Sequence, residues 1–428
     1  MTQNATQHAP SYYAATANKQ DARPALKTTI TTEICIIGAG FTGISAALEL
    51  AAQNIPTVVL ESVKVGFGAS GRNGGQIVNG YSRDLDVIAN RYGPTAGAAI
   101  GAMALEGGAI IRERIAKYNI ACDLAEGGLF CAFTPKQLEG LRHHKKIWAD
   151  YGHHAMDILT PAEMQKHVVT NRYAGALLDH LGGHIHPLNL VQGEAEAAES
   201  HGAVIYENTP AIAIDAGASP VVKTPNGEVR CKTILACGNA YLGNLLPEIT
   251  SRVMPVTTQI IATEPLGAEA AKLLPSNVCA EDANYVLDYY RRTPDNRILY
   301  GGGIVYGGTD SDSITAKIRP NMLKTFPSLK SAKIDYAWSG NFALTLTRFP
   351  QMGRLGQNLL FSHGCSGHGV TTTHLLGRLL AEAVTGTPER FNVIANLPYY
   401  PFPGCLLFRV PATIAGSWYY RTRDALGL

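Results

Sequence analysis

Residues 66–76 read GFGASGRNGGQ, five glycines in eleven positions with Arg72 and Asn73 among them. Glycine at that density serves where the backbone needs a positive φ, or where another group must approach closer than a Cβ allows. A second cluster, GAGFTG, puts Gly38, Gly40 and Gly43 at G-x-G-x-x-G spacing, with Phe41 and Thr42 between them. Gly38 suits the tight turn, Gly40 admits a pyrophosphate to the backbone, and Gly43 lets the next helix pack on its strand. Glu61 follows, with seventeen residues between it and Gly43. A carboxylate there accepts hydrogen bonds from an adenosine ribose and repels a 2′-phosphate. Such residues hold a dinucleotide. The pattern alone does not separate FAD from NAD, but the 66–76 stretch opens just after Glu61, at the sheet edge where the dinucleotide lies. An extended FAD needs backbone contact along a second surface, which Ser70, Gly71, Arg72, Asn73, Gly74, Gly75 and Gln76 can supply. Arg72 adds a fixed positive charge, and Asn73 tolerates left-handed backbone.

The elements that position these residues are readable around them. TTEICIIGAG is a buried strand entering a glycine turn. FTGISAALELAAQ is a helix with Ile44, Ala47, Leu48 and Ala51 on one face, and IPTVVLE is a second strand after Pro56. Together they form a βαβ unit. Further on, LNLVQGEAEAAESHG reads as a helix before the strand AVIYEN. Two strands flank the turn TPNG, and KTILACGNAY is a buried strand ending at Gly238. Near the end come a strand (NLLFS), a glycine turn (HGCSGHG) and a helix closed by Gly386. The expected fold class is α/β with an α+β substrate part. A Rossmann-like domain is built from 30–95, 185–250 and 350–395, interwoven with a mixed-sheet substrate domain from 96–184 and 251–349. An N-terminal arm (1–29) and a C-terminal tail (396–428) flank them.

The 428 residues carry a net charge of +2, and 16% are charged, against roughly 25% in an average soluble chain. That balance points to no nucleic-acid partner. Eight scattered cysteines without a C-x-x-C pair read as reduced core thiols of a cytoplasmic protein. The polar N-terminus has no signal-peptide core, and no run of eighteen residues is continuously apolar, so no transmembrane segment is expected. The apolar tail CLLFRVPATIAGSWYY is expected to pack on the body, with peripheral membrane contact as the lesser reading. A homo-oligomer is left open.

SYYAATANK, GFGASGRNGGQIVNGYSRDLDVI, GALLDHLGGHIHPLNL, LDYYRRTPDNRILYGGG, GHGVTTTHLLGR and ANLPYYPFPG, spread over nearly the whole chain, resemble the flavoprotein family of D-amino-acid, glycine and sarcosine oxidases. Within it the γ-glutamylputrescine-oxidase branch is most similar. The resemblance implies an FAD domain of the glycine/sarcosine oxidase type and places GFGASGRNGGQ beside the isoalloxazine. It also puts Gly367, His368, Gly369 and Val370 at the flavin's N1–C2=O edge, where a helix N-terminus favours negative charge. His368 serves equally as a structural histidine, and no residue is assigned as catalytic; Arg72 and His368 are flavin-proximal candidates. Two departures stand out. Cys365 replaces a common aromatic, and Cys237 a small residue before Gly238. A buried free thiol at Cys365 is favoured over a covalent flavin link, so FAD is expected to be non-covalent. His184 and His186 share a strand face but lack further ligands, so no metal is expected. RHHKK (142–146) and GHH (152–154) read as solvated surface.

The implied chemistry is oxidation of an amine to an imine that hydrolyses to an aldehyde and ammonia, with O2 reduced to H2O2. The small-molecule substrate is a primary amine at the end of a chain carrying a glutamyl carboxylate. In NYVLDYYRR, alternation puts Tyr285, Leu287, Tyr289 and Arg291 on one strand face. Tyr289 and Arg291 are substrate candidates, although an arginine in a structural ion pair is as good a reading. Glycine-oxidase-like relatives carry W-x-G-x-R-P, whose Arg pairs with the substrate carboxylate. Here WSGNFALTLTRFPQMG starts at Trp338 and has Phe342 in the Arg position, so Trp338 and Phe342 complete the substrate set. Arg348 is the alternative partner for a carboxylate. Two other classes stay open: a flavin dehydrogenase with another acceptor, and a non-catalytic flavin-binding protein. An NADPH-dependent enzyme needs a second nucleotide motif, and YGGGIVYGG (300–308) lacks its strand–turn–helix form.

Overall fold

A computed structural model describes residues 7–308, 313–402, 408–411, 413–415, 418 and 422. The β-branched runs form a six-stranded sheet in the order Gln351–Leu355, Leu359–His363, Thr233–Ala236, Ile34–Ile37, Thr57–Leu60 and Val204–Tyr206. All neighbours are parallel except the first pair, a hairpin. A parallel sheet must be covered on both faces, and alternation along the strands divides its side chains accordingly. Ile34, Ile36 and Val59 pack with the helices Phe41–Ala51, Pro187–Ser200 and Gly369–Val384. Cys35, Ile37, Val58 and Leu60 face the other way. They meet Val222 and Val229 of a four-stranded sheet made of Ile30–Thr31, Gly227–Arg230, Val221–Thr224 and Ala213–Asp215.

Between the helices lies a charged network that sequence reasoning did not locate. Glu194, with no exposed surface, meets His374 Nε2 at 3.0 Å and Arg114 Nη1 at 2.9 Å. Arg114 also reaches Glu49 at 2.9 Å, and Glu49 accepts from Arg378 at 2.8 Å. Four helices are thereby tied through buried charge, including Glu106–Tyr118, which packs on Gly369–Val384.

The second sheet is mixed. Its order is Ile334–Thr345, Val253–Thr263, Ile298–Tyr306, Tyr289–Arg292, Cys279–Asp282, Ala125–Ala132, Gly175–His184 and Gln76–Ile77, with Met156–Leu159 beside Gly175–His184. The stretch 300–308 runs mostly within Ile298–Tyr306, an extended strand with partners on both sides and no nucleotide turn. The segment Pro94–Tyr118 has the length and composition of a membrane span. It is broken by a turn at 103–105, and Ile100, Ile110 and Ile111 are buried in the body.

Several histidines differ from their sequence reading. His153 is buried, not solvated, with Nε2 2.9 Å from Asp179; His144 lies 2.7 Å from Asp84. His184 ends its strand and meets the Asn277 carbonyl at 2.8 Å, whereas His186 has left the strand to cap the helix Pro187–Ser200. In the tail, Phe402 and Val410 pack on Met254 and Val256, while Phe408 and Trp418 are exposed. Cys405 lies outside the described residues; the other seven cysteines are buried free thiols.

Candidate active site

A cavity of about 920 Å3 runs between the C-terminal edge of the six-stranded sheet and the face of the mixed sheet. Its first wall is the turn at 38–42. Gly38 adopts φ +102°, a left-handed conformation that a side chain resists. Its carbonyl lies so close to the Cα of Gly43 that a Cβ there has no room, which fixes Gly43 as a packing residue outside the cavity. The helix Phe41–Ala51 starts at Gly40 without a side-chain cap of its own. Ser70 Oγ, from the second glycine loop, accepts from Phe41 N at 2.8 Å and ties the two loops together.

Glu61 lines the cavity and also holds the turn. Oε2 accepts from Ala39 N at 2.9 Å, and Oε1 from Val63 N at 3.0 Å and Ser62 Oγ at 3.1 Å. Burial pushes its carboxyl above the ordinary range against those donors. Three of roughly four lone-pair sites are taken, so Glu61 has less capacity left for a ribose than the sequence suggested. Replacing it with alanine removes charge-assisted bonds of about 1.5–3 kcal/mol each and orphans the N–H groups of Ala39 in the turn and of Val63. Glu61→Ala is expected to weaken flavin binding at least tenfold, read as flavin fluorescence released on dilution. Unchanged retention would remove Glu61 from the cofactor site.

The second loop is built by its own side chains. Ala69–Gly71 make a 3-10 turn, and Asn73 Nδ2 donates to the Ala69 and Ser70 carbonyls at 3.0 and 2.9 Å. Asn73 Oδ1 accepts from Gly75 N at 2.8 Å. Asn73 is therefore a side-chain clamp and not a left-handed residue; Gly66 and Gly75 carry the positive φ values. Arg72 Nε donates to the Phe67 carbonyl at 2.8 Å, and its guanidinium stacks 4.4 Å from the Phe67 ring. Ser70, Arg72, Asn73, Gly74 and Gln76 reach the cavity, while Gly71 and Gly75 stand behind it against backbone carbonyls.

Opposite this wall, Gly364, Ser366 and Gly367 all have positive φ, and Ser366 is pinned by Thr345 N donating to its Oγ at 3.1 Å. The turn delivers the helix Gly369–Val384, uncapped by any side chain, to the cavity with His368, Gly369 and Val370. Burial, with Arg348 and His144 adding to it, pushes the His368 imidazole down to about 4, leaving a neutral ring. Cys365 and Cys237 also line the cavity, and burial pushes both thiols up. A turn with no Cβ at Gly38 and Gly40, a helix start with no cap from its own N-cap residue and a carboxylate near it fit a bound dinucleotide. Gly38, Gly40, Glu61 and Gly238 would take its adenosine half, and Arg72 to Gln76 with Gly367 to Val370 its flavin half.

Tyr285, Leu287, Tyr289, Phe342, Arg348 and Glu281 belong to the lining as well, with Tyr289 against Gly74 and Phe342 against Gly367. Arg348, at φ +57°, stacks 4.0 Å from the Tyr285 ring. Two substrate candidates are not there. Arg291 is buried behind the glycine loop, donating to the Gly74 carbonyl at 2.8 Å and the Tyr13 hydroxyl at 3.0 Å. Trp338 is buried too, its Nε1 donating to the Arg72 carbonyl at 3.0 Å. Both shape the loop and stay off the cavity wall. The strand itself begins only at Tyr289, so Tyr285 and Leu287 reach the cavity from a loop. Glu281 went unread because a carboxylate in CAED looks like a solvated strand end; its burial comes from neighbouring strands distant in sequence.

A family model described as FAD dependent oxidoreductase matches residues 33–383. The chain is 52% identical over 425 residues to gamma-glutamylputrescine oxidoreductase of Escherichia coli K12, covering 99% of this chain and 100% of that protein. Among solved structures, L-proline dehydrogenase from P. horikoshii superposes with a TM-score of 0.72 at 21% identity, covering 86% of this chain and 99% of that one. Glycine oxidase from Geobacillus kaustophilus gives 0.69 at 22% identity, covering 88% and 98%.

Proposed function

Because the chain belongs to the FAD-dependent oxidoreductase family, we propose that it oxidises the terminal primary amine of γ-glutamylputrescine in putrescine breakdown. The aldehyde, ammonia and H2O2 are the products. The observation that carries this reading is the 52% identity, end to end, to gamma-glutamylputrescine oxidoreductase. The cavity is compatible with it: aromatic and aliphatic walls (Tyr285, Leu287, Tyr289, Phe342) suit a methylene chain, and Arg348 offers a cation for a carboxylate.

Bound FAD supplies a two-electron acceptor for the hydride leaving the carbon that bears nitrogen. The chain's residues bind, orient and exclude water. The loop Ser70–Gln76 and the helix start at Gly369 would hold the cofactor from two sides, and Tyr289 would press the substrate's last methylenes toward it. The buried Cys365 thiol is a poor nucleophile, since the thiolate is the reactive form, which supports non-covalent FAD.

The test is a peroxide and ammonia assay on γ-glutamylputrescine, putrescine, spermidine, sarcosine and glycine, with acid precipitation of the same preparation. Peroxide from γ-glutamylputrescine above all others, and flavin in the acid supernatant, are expected. Anaerobic bleaching without aerobic peroxide would assign a different electron acceptor. No bleaching with any amine would remove the enzymatic reading, and flavin in the pellet would remove the non-covalent one.

A further inference from the structure

Resting on the amine-oxidase reading above, we propose that Glu281 receives the substrate's ammonium end in the cavity and takes the proton that the nitrogen must lose before the adjacent carbon–hydrogen bond breaks. Glu281 lies on Cys279–Asp282, directly opposite Tyr289 on the antiparallel neighbour and beside Phe130 on the parallel one. Opposite residues of an antiparallel pair share a face, and both Glu281 and Tyr289 are on the cavity wall. The glycine loop arrives at the same place. A Cβ on Gly74 would stand 2.6 Å from the Tyr289 ring and 3.2 Å from Gln76 Oε1. Gln76 Nε2 donates to the Ala280 carbonyl at 3.2 Å, one residue before Glu281. The carboxyl thus sits where the proposed flavin cradle meets the aromatic wall.

Glu281 is 9% exposed, and among the described residues no cation pairs with it and no hydrogen bond reaches its carboxyl. A buried, unpaired carboxyl is costly to keep ionised, and an incoming ammonium is the partner that relieves the cost. The titratable groups around it are Asp282 and Cys279 on its own strand, Tyr289 and Arg291 on the strand opposite, and Cys131 on Ala125–Ala132; Arg291 gives its donors to the Gly74 carbonyl and the Tyr13 hydroxyl. Burial pushes Cys279 up to about 12, and raises Cys131 and Tyr289 as well, so these three stay neutral and Arg291, turned to the glycine loop, is the one cation among these groups. Burial first, then Asp282, pushes the Glu281 carboxyl up to about 8.

That position suits a base for an alkylamine. In the step R–CH2–NH3+ with Glu281–COO− gives R–CH2–NH2 and Glu281–COOH. One N–H bond breaks, its electron pair stays on nitrogen, and one O–H bond forms. Between an ordinary glutamate and an amine near ~10 the transfer is uphill by roughly a millionfold; from about 8 it is uphill by only about a hundredfold.

The test uses the holoenzyme and three probes that bind without turning over. The first is a γ-glutamyl diamine whose amine-bearing carbon carries two methyl groups in place of hydrogens. The second is the same blocked alkylamine without the glutamyl group, and the third is its counterpart without nitrogen. Affinity is measured from pH 6 to 9.5 by perturbation of the flavin absorbance. Below the carboxyl's titration, binding an ammonium expels a proton. Wild-type affinity for both amines should therefore rise about tenfold per pH unit and level off near 8. Glu281→Gln should bind both amines at least tenfold more weakly at pH 8.5 and lose the break, and Glu281→Asp should restore a break at lower affinity. A break and affinity that persist in Glu281→Gln, or a break seen with the nitrogen-free probe, would overturn the proposal. If Glu281→Gln does not hold flavin, the wild-type contrast between amine and nitrogen-free probes decides alone. A glutamyl probe binding wild type no better than the plain amine would count against the γ-glutamyl substrate and leave Glu281 standing.

Discussion

Offered glycine or sarcosine, the protein is expected to show less than roughly one-hundredth of the kcat/KM it shows with γ-glutamylputrescine. The residue that sets this is Phe342, which stands where glycine-oxidase-like chains carry the arginine for the substrate carboxylate. In the structure Phe342 lines the cavity, its ring about 4 Å from where a Cβ on Gly367 would be. An α-carboxylate bound beside the reacting carbon would face a phenyl ring with neither charge nor donors. Leaving a buried carboxylate unpaired costs several kcal/mol, and about 1.36 kcal/mol is tenfold in rate, so a hundredfold penalty is conservative. A terminal CH2–NH3+ group carries no such burden, and its methylenes gain from the ring. Arg348 lines the cavity against the Tyr285 ring, and Arg348→Ala should raise KM for the glutamyl substrate while leaving plain alkylamines unaffected. Comparable kcat/KM for glycine and γ-glutamylputrescine would sink the substrate assignment.

The largest loss of stability is expected from Glu194→Ala. Removing this carboxylate leaves Arg114, 3% exposed, with one partner fewer and strips His374 Nε2 of its acceptor, while Nδ1 keeps the Val370 carbonyl. Breaking a buried pair by deleting one member costs about 3–5 kcal/mol, a Tm fall of roughly 3–6 °C in a chain of this length, measured by calorimetry on the holoenzyme. Glu194→Gln keeps the shape and should lose less. The pH dependence has a definite sign. Burial alone would raise the Glu194 carboxyl, but His374 and Arg114 overcome it and hold it below the ordinary range. Its stabilisation is therefore complete above the unfolded value of about 4.3 and is lost as pH falls through the lower folded value. Wild type should lose its stability advantage over Glu194→Gln in acid. An advantage that grew as pH fell would contradict the pairing.

The nucleotide half of the site was legible because its causes are local. Strand, turn, helix and second strand follow one another from Ile34 to Leu60, and the Gly38 conformation is demanded within that unit. The substrate half was not, because its causes are distant. Arg291 has the alternation of a cavity residue, but the Gly74 carbonyl and the Tyr13 hydroxyl, 217 and 278 positions away, take its donors. Tyr285 and Leu287 look like strand residues, yet Asp282 accepts from Asn284 N and Asp288 N and folds the intervening chain into a loop. His153 looks solvated beside other histidines until Asp179, on the strand Gly175–His184, removes it from water. Composition gives no sign of such pairings.

The interleaving of the six-stranded sheet also has a consequence in time. The turn at 38–42 and the turn at 366–370 face one cavity, and the strand Leu359–His363 is reached from Ile34–Ile37 only through Thr233–Ala236. A ribosome adding about 5–20 residues per second needs roughly 15–65 s to make the intervening stretch of roughly 320 residues. Throughout that interval the glycine turn exists beside a half-built, apolar cleft with nothing opposite it. The nascent chain therefore has no complete pocket to offer until the turn at 366–370 has been made, and cofactor loading belongs to the last stretch of synthesis or later. A truncation before Leu359 should leave the G-x-G-x-x-G turn intact in sequence and yet give colourless protein.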